Sequence, residues 1–464
     1  MTTSAHPTLA GRAVQAGLTL VELMVAMALG LIVAGGVVAI FNSTSSSNRA
    51  QTQLARLQEE GRFAVTRLKQ DLSMANGQYC TNSGGVAKPA AASQLYLDGL
   101  RAPVVYAKNV TTAIGDITTA FGATSGTNTY PAQPTAQYSM PSYMFMRGYD
   151  CGLTSTTCKP IDPNSVLNVA TGVPAMAKTV GSRVIGTDVI TVRYVNADRG
   201  WAIGAGGTSI ATAASSGSAI ASITIAQATS SEPPPADFAS GDMAMLADCS
   251  NAQVFAVTKS GAATLTPTSA NNFAAPAPQQ PLSAPKLFDF NRDFQTVTYW
   301  LKVVDNGNGQ TTGALMRRVN GGPFKADGTT ANPGGTEDEL VRGVERLDFR
   351  YGIQDVDGKV RYVTADVVDA ATGITCPPGE VNKITTAGCL WRAVSSVEIN
   401  MVIDGQIPLY TLTANDLAYT YGIDGKTTPA APSAHGIKPS DQGFVDPMLR
   451  REFTAVVAVR NFNP

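Results

Sequence analysis

The sequence predicts an α+β protein: one long N-terminal helix, membrane-spanning over its first half, packs on a C-terminal antiparallel β-rich head. Three observations predict it. An apolar run of 24 residues extends from Leu18 to Phe41, and apolar side chains then recur every three or four residues as far as Leu72. From about Gly77 the period shortens to two, with β-branched and aromatic residues set between Gly, Ser, Thr, Asn and Pro.

The first element is a polar leader, residues 1–17, which holds Arg12 and no acid. The positive-inside rule keeps this end cytoplasmic and sends the roughly 420 residues beyond the apolar run outward. That run, residues 18–41, reaches roughly 36 Å as a helix, enough for a ~30 Å hydrocarbon core. A secretory signal would have its small-residue cleavage site after the apolar stretch. Here the boundary residue, Gly17, precedes it, so a cut would leave the run on the mature chain.

Residues 42–75 continue the helix. Leu54, Leu57, Gly61, Val65, Leu68 and Leu72 form one face, with Arg56, Glu59, Glu60, Arg62, Arg67 and Lys69 on the remainder, and no proline interrupts residues 18–75. Residues 76–290 are expected to form a β-rich head with long loops, and 291–464 a C-terminal sheet region. Strands are predicted at 187–195, 252–258, 297–304, 344–353, 360–368, 395–404 and 451–462, with a hairpin between the fourth and fifth across the Asp357-Gly358 pair. The Ala/Thr/Ser/Gly/Pro-rich stretches 201–240 and 261–286 read as long surface loops.

Composition narrows function. Lys and Arg number 34 against 35 Asp and Glu, a formal charge of −1, which gives no electrostatic footprint for nucleic acid. Two histidines, His6 and His435, rule out a multi-histidine metal site, and no acid pair, nucleophile with base, or phosphate-binding glycine loop stands out. No metal, no cofactor and no catalytic residue is therefore expected. Asp355 and Asp357, and the run Asp305-Asn306-Gly307-Asn308-Gly309, lack the calcium-loop pattern and read as tight turns. Trp201, Trp300 and Trp391 read as core residues. Arg450 and Arg451 read as a solvated edge of the last strand, with a salt-bridged contact to another subunit as the alternative.

Six cysteines, an even set in an exported chain, favour disulfides over metal thiolates and allow 15 connectivities. Ease of loop closure favours Cys151 with Cys158 and Cys376 with Cys389, and Cys80 with Cys249 is then what remains. The expected role is to staple loops. A redox role needs a low-pKa thiolate in an electropositive site, and the sequence points to none.

The arrangement AG/LTLVE followed by LMVAMALGLIVAGGVVAIF resembles the class III signal of type IV pilins and type II secretion pseudopilins. A short basic leader ends in Gly17, Leu18 follows, and Glu22 stands fifth after the boundary inside the membrane segment. A carboxylate there is costly unless paired. The resemblance implies that prepilin peptidase cuts between Gly17 and Leu18, that the new amine on Leu18 is methylated, and that Glu22 meets the amine of a neighbouring subunit. Further along, MLADCSNAQVFAVT (245–258), ALMRRVNGG (314–322), ELVRGVERLDFRYGIQDVDGK (339–359), WRAVSSVEINMVI (391–403) and RREFTAVVAVRN (450–461) resemble the PilW family of large minor pilins. Residues 100–180 and 200–240 show no such likeness.

That resemblance implies a non-enzymatic role in priming or tip assembly of a type IV pilus used for twitching motility, adhesion or DNA uptake. The implied partners are prepilin peptidase, other minor pilins, the major pilin, a large tip adhesin and the inner membrane. The head would be periplasmic before assembly and at the cell surface after it. Two alternatives stand beside this one: a J-type pseudopilin of type II secretion, and a membrane-tethered periplasmic binding domain or enzyme that never polymerises.

Overall fold

A computed structural model describes residues 19–80, 86–89, 95–98, 102–114, 121–122, 124–125, 128–164, 173–204, 209–213, 219–249, 251–277, 284–307, 309–320, 336–354, 360–370, 387–410 and 412–461. The chain divides into two compact units, Met1–Gln53 and Leu54–Pro464. Helix α1 (Leu20–Met74, 55 residues) begins in the first and ends in the second. In the first unit its residues 20–41 are exposed all round. In the second it is striped, with Leu57, Gly61, Ala64, Leu68, Asp71 and Leu72 buried and Glu59, Arg62, Lys69 and Gln70 in solvent. That spacing of three and four is the one its sequence shows. Asn76 ends the helix in a left-handed conformation, φ 64°, where asparagine is tolerated.

Among the described residues the head contains three main arrays, antiparallel except where Val104–Val105 runs parallel to Ala252–Ser260 in the largest. A five-stranded sheet runs in the order Thr336–Arg342, Gln310–Val319, Phe294–Gly307, Val189–Val195, Met146–Tyr149, drawing strands from both sides of residue 290. A four-stranded sheet runs Val360–Val363, Val344–Gln354, Val394–Asp404, Arg450–Ala458. A nine-stranded sheet is built from shorter strands between Val104 and Asp289. One core cluster joins the buried helix stripe to both larger strand systems, and Trp201, Ile223, Phe255 and Leu265 fill a second.

Several sequence expectations need correction. The stretches 201–240 and 261–286 are not simply loops, because Trp201–Ala202, Ile210–Ala213, Ile220–Thr224 and Thr264–Pro267 are strands of the nine-stranded sheet. Their isoleucines, leucine and tryptophan have a core to fill, which a low-complexity reading discounts. The strand expected over 360–368 stops at Val363, and Ala365–Ala370 is helical. Thr364 Oγ1 donates to the Asp366 carboxylate at that helix start, and Asp369 accepts from Trp391 Nε1 at 3.0 Å and from Tyr130. Tertiary anchoring thus overrides β-branched propensity. Arg450 is not solvated. It is buried and forks onto Glu345 at 2.6 and 2.9 Å, while Arg451 is exposed. The turn after Asp305 is tight: its Oδ1 accepts from Gly307 N–H at 2.8 Å, and Gly307 takes φ 85°. Residues 355–359, including the Asp357-Gly358 turn, lie outside the described residues.

The helix is locked to the five-stranded sheet at Asp71, which is 3% exposed. Its carboxylate accepts from Arg317 Nε at 2.7 Å and Nη2 at 3.2 Å, from the Tyr194 hydroxyl at 2.9 Å, and from the Tyr299 hydroxyl. Burial alone pushes this carboxyl up, but the hydrogen bonds from Arg317 and Tyr299 and the arginine charge hold it below the ordinary value of 3.8. Asp188, Asp289 and Asp404 go the other way. Burial raises each well above 3.8, reinforced by the charges of Asp348, Asp242 and Glu345 respectively.

Two outcomes follow from these contacts. Asp71→Asn removes the charge facing a buried guanidinium and should destabilise the head by about 3 kcal/mol, read as a lowered midpoint in urea unfolding of the detergent-solubilised chain. Stability should also rise as pH falls from neutral toward about 4. Asp188, Asp289 and Asp404 hold a proton more tightly folded than unfolded, so their contribution falls as pH rises through their raised values. Below about pH 4 the trend should reverse, since the stability due to Asp71 is lost as pH falls through its lowered value. Thermal scans across pH 3–8 measure both limbs.

Candidate functional site

The boundary residues Gly17 and Leu18 lie outside the described residues, which begin at Thr19. Glu22 occupies the first turn of α1. Its backbone N–H donates to Thr19 Oγ1 at 3.2 Å, and its carboxylate Oε2 accepts from the Thr19 backbone N–H and hydroxyl, both at 3.2 Å. This is a reciprocal capping box. It satisfies donors that a helix start leaves without partners, and it places a negative charge where the helix dipole favours one. The Thr-x-x-Glu spacing that announces it is visible in the sequence, but an acid inside an apolar run draws attention to its cost rather than to its neighbour. Every residue from Leu20 to Phe41 is exposed, Leu20, Leu31 and Phe41 each by more than two thirds. The helix is long and apolar enough to cross a membrane.

The cysteines form a second constellation. Cys80 is bonded to Cys249 and Cys151 to Cys158, and Cys389 is also oxidised. Cys376 lies outside the described residues. By chain entropy the link across 169 residues contributes about 5 kcal/mol and the link across seven only about 2.

His435 is buried, stacked on Tyr419 at 3.9 Å with Nδ1 3.2 Å from Asp424 Oδ2. Arg346 also reaches Asp424, at 3.3 Å, so that carboxylate is already engaged by a cation. The three tryptophans are fully buried. Among the described residues no group of three or more His, Cys, Asp or Glu is arranged to hold a metal. Two clefts lie beside α1. One, of about 570 Å³, is bordered by Lys69, Asp71, Tyr194, Asp198 and Arg460.

Comparison with known proteins defines the class from its two ends. Residues 12–38 match the prokaryotic N-terminal methylation motif, which covers Gly17, Leu18 and Glu22. Residues 298–461 match the model of type IV pilus-assembly protein W, PilW. The matched region starts within the strand Phe294–Gly307 and takes in the whole four-stranded sheet. No curated protein and no solved structure matches the chain. Over these two segments the chain is similar to type IV pilus proteins, with a prepilin-type motif at its N-terminus and a PilW region toward its C-terminus, and the matched family is one of pilus assembly.

Proposed function

We propose that the chain is the precursor of a minor pilin that helps to prime or form the tip of a type IV pilus. The observation that carries this reading is Glu22, an acid at the mouth of a fully exposed apolar helix. Its hydrogen bonds to Thr19 engage Oε2, and among the described residues Oε1 accepts nothing. Prepilin peptidase cuts between Gly17 and Leu18, removing the leader 1–17, and the new amine on Leu18 is methylated. Cleavage therefore creates the cation that a membrane-embedded carboxylate needs. In a bundle of such helices, Glu22 receives the amine of an adjacent subunit through its open oxygen while Thr19 fixes the carboxylate plane.

The apolar half of α1 holds the mature protein in the inner membrane with its head in the periplasm. Transfer into the filament, beside other minor pilins and the major pilin and beneath a large tip adhesin, keeps that surface out of water. In this reading the oxidised Cys389 takes Cys376 as its partner, and the disulfides suit an oxidising compartment.

Mass spectrometry of the mature N-terminus tests processing. A methylated Leu18 is expected, and any other start, or an intact leader in cells that have the peptidase, overturns the reading. Glu22→Ala tests pairing. The variant should enter the membrane and be cleaved at wild-type levels, since losing an acid eases insertion, yet fall at least tenfold in sheared pili. Normal incorporation would refute the pairing role.

A further inference from the structure

The Cys151–Cys158 bond lies in surroundings that a loop staple does not need. Arg183, just ahead of the strand Val189–Val195, has a side chain with no exposed surface. Its Nη1 lies 3.3 Å from Cys151 Sγ and its Nη2 3.9 Å from Cys158 Sγ, while Nη2 also donates to Asp162 Oδ2 at 2.9 Å. Nε meets no acceptor. A disulfide sulfur accepts weakly, whereas a thiolate accepts strongly and carries the opposite charge. Burial outweighs the Asp162 hydrogen bond and the charges of Asp162 and Asp188 and holds the guanidinium below its ordinary value, so a further anion at Nη1 is favoured. On the other sulfur the polarity is reversed. Asp162 Oδ2 sits 3.3 Å from Cys158 Sγ, where a disulfide has no proton to donate and a thiol has one.

We infer that Cys151–Cys158 is a thiol–disulfide exchange site for a dithiol oxidoreductase, with Arg183 receiving a Cys151 thiolate and Asp162 a Cys158 thiol in the reduced form. The partners of both reduced sulfurs are already in place in the oxidised state. A thiolate of the dithiol attacks Sγ of Cys158, the slightly less buried of the two residues, forming a mixed disulfide. Cys151 Sγ leaves with the bonding pair toward Nη1 of Arg183. The second thiolate of the dithiol then displaces Cys158 Sγ, which takes one proton. Two electrons and one proton pass to the protein, the dithiol becomes a disulfide, and its other proton goes to solvent. Access is local, because residues 153–157 between the cysteines are exposed. Reclosure is easy, because only seven positions separate the sulfurs, against 169 for Cys80 and Cys249. The site goes beyond the pilin reading and does not depend on it.

The test is a redox titration of the full-length chain in detergent, with graded dithiothreitol, alkylation of freed thiols and peptide mass mapping. Wild type should open Cys151–Cys158 at potentials where Cys80–Cys249 stays closed. Arg183→Met should lower the equilibrium constant for opening about tenfold, which is about 30 mV for a two-electron couple. Arg183→Lys, which keeps the charge and loses the fork, should fall between. In the reduced wild type, Cys151 should react with iodoacetamide well below the ordinary thiol pKa of about 8.5 and Cys158 should not. Opening of the two bonds together, or Cys80–Cys249 first, overturns the inference in the wild-type chain alone, whatever the folding of the variants. So does an unshifted midpoint in a folded Arg183→Met chain, or equal alkylation of the two thiols.

Discussion

The head depends on one buried carboxylate. Asp71 stands on the inner face of α1, and its partners come from three adjacent strands: Tyr194 from Val189–Val195, Tyr299 from Phe294–Gly307 and Arg317 from Gln310–Val319. A lone carboxylate in that position would cost several kcal/mol, so the helix can seat there only when all three strands are in register. Ten residues earlier, Gly61 accepts the ring of Phe453 from the four-stranded sheet, where an added Cβ would come within 2.3 Å of the ring. The same helix face therefore holds one sheet by charge and the other by close approach.

Elsewhere the head repeats this use of buried ions. Arg147 lies against Asp369 at 3.2 Å with the rings of Tyr130, Tyr143 and Tyr149 around it, and Arg346 bridges Asp348 and Asp424. Such pairs add little net stability over apolar packing, but each is costly to break or shift by one residue. In sheets whose strands are rich in interchangeable valines and isoleucines, they specify register where side-chain volume does not. Arg183 is the variation on the theme, since one of its acceptors is a sulfur whose charge depends on oxidation.

Legibility in the sequence followed the periodicity. The helix was readable because its stripe of Leu57, Leu68 and Leu72 keeps a helical spacing, and the long strands because Val, Ile and Tyr alternate in them. The strands at 210–213 and 220–224 were obscured by small residues, and no local window reveals that Ile220 and Ile223 share a core with Trp201 and Phe255. Arg450 looked like an edge residue since nothing near it in sequence announces Glu345, which is 105 positions away. In the first turn of α1 the acid was legible by its cost, which drew attention away from the Thr-x-x-Glu spacing of its Thr19 cap. Arg183 gave no signal at all, because its relation to Cys151 exists only once the strands are paired.

The far end of α1 places a demand on timing. Its last carbonyls, those of Ser73, Met74 and Ala75, are met by Arg460 N–H and Asn461 Nδ2. For Met74 the donor is 387 positions downstream. During synthesis the helix is among the first segments to emerge, yet its final turn stays frayed until nearly the whole head has followed. A chain stalled or clipped before residue 450 would leave the helix without the Arg460 and Asn461 donors and without its Phe453 contact, keeping only local bonds such as Gly77 N–H to Met74 O at 3.2 Å. Completion of the head and closure of the helix end are in this way linked, since the donors at 460 and 461 arrive last.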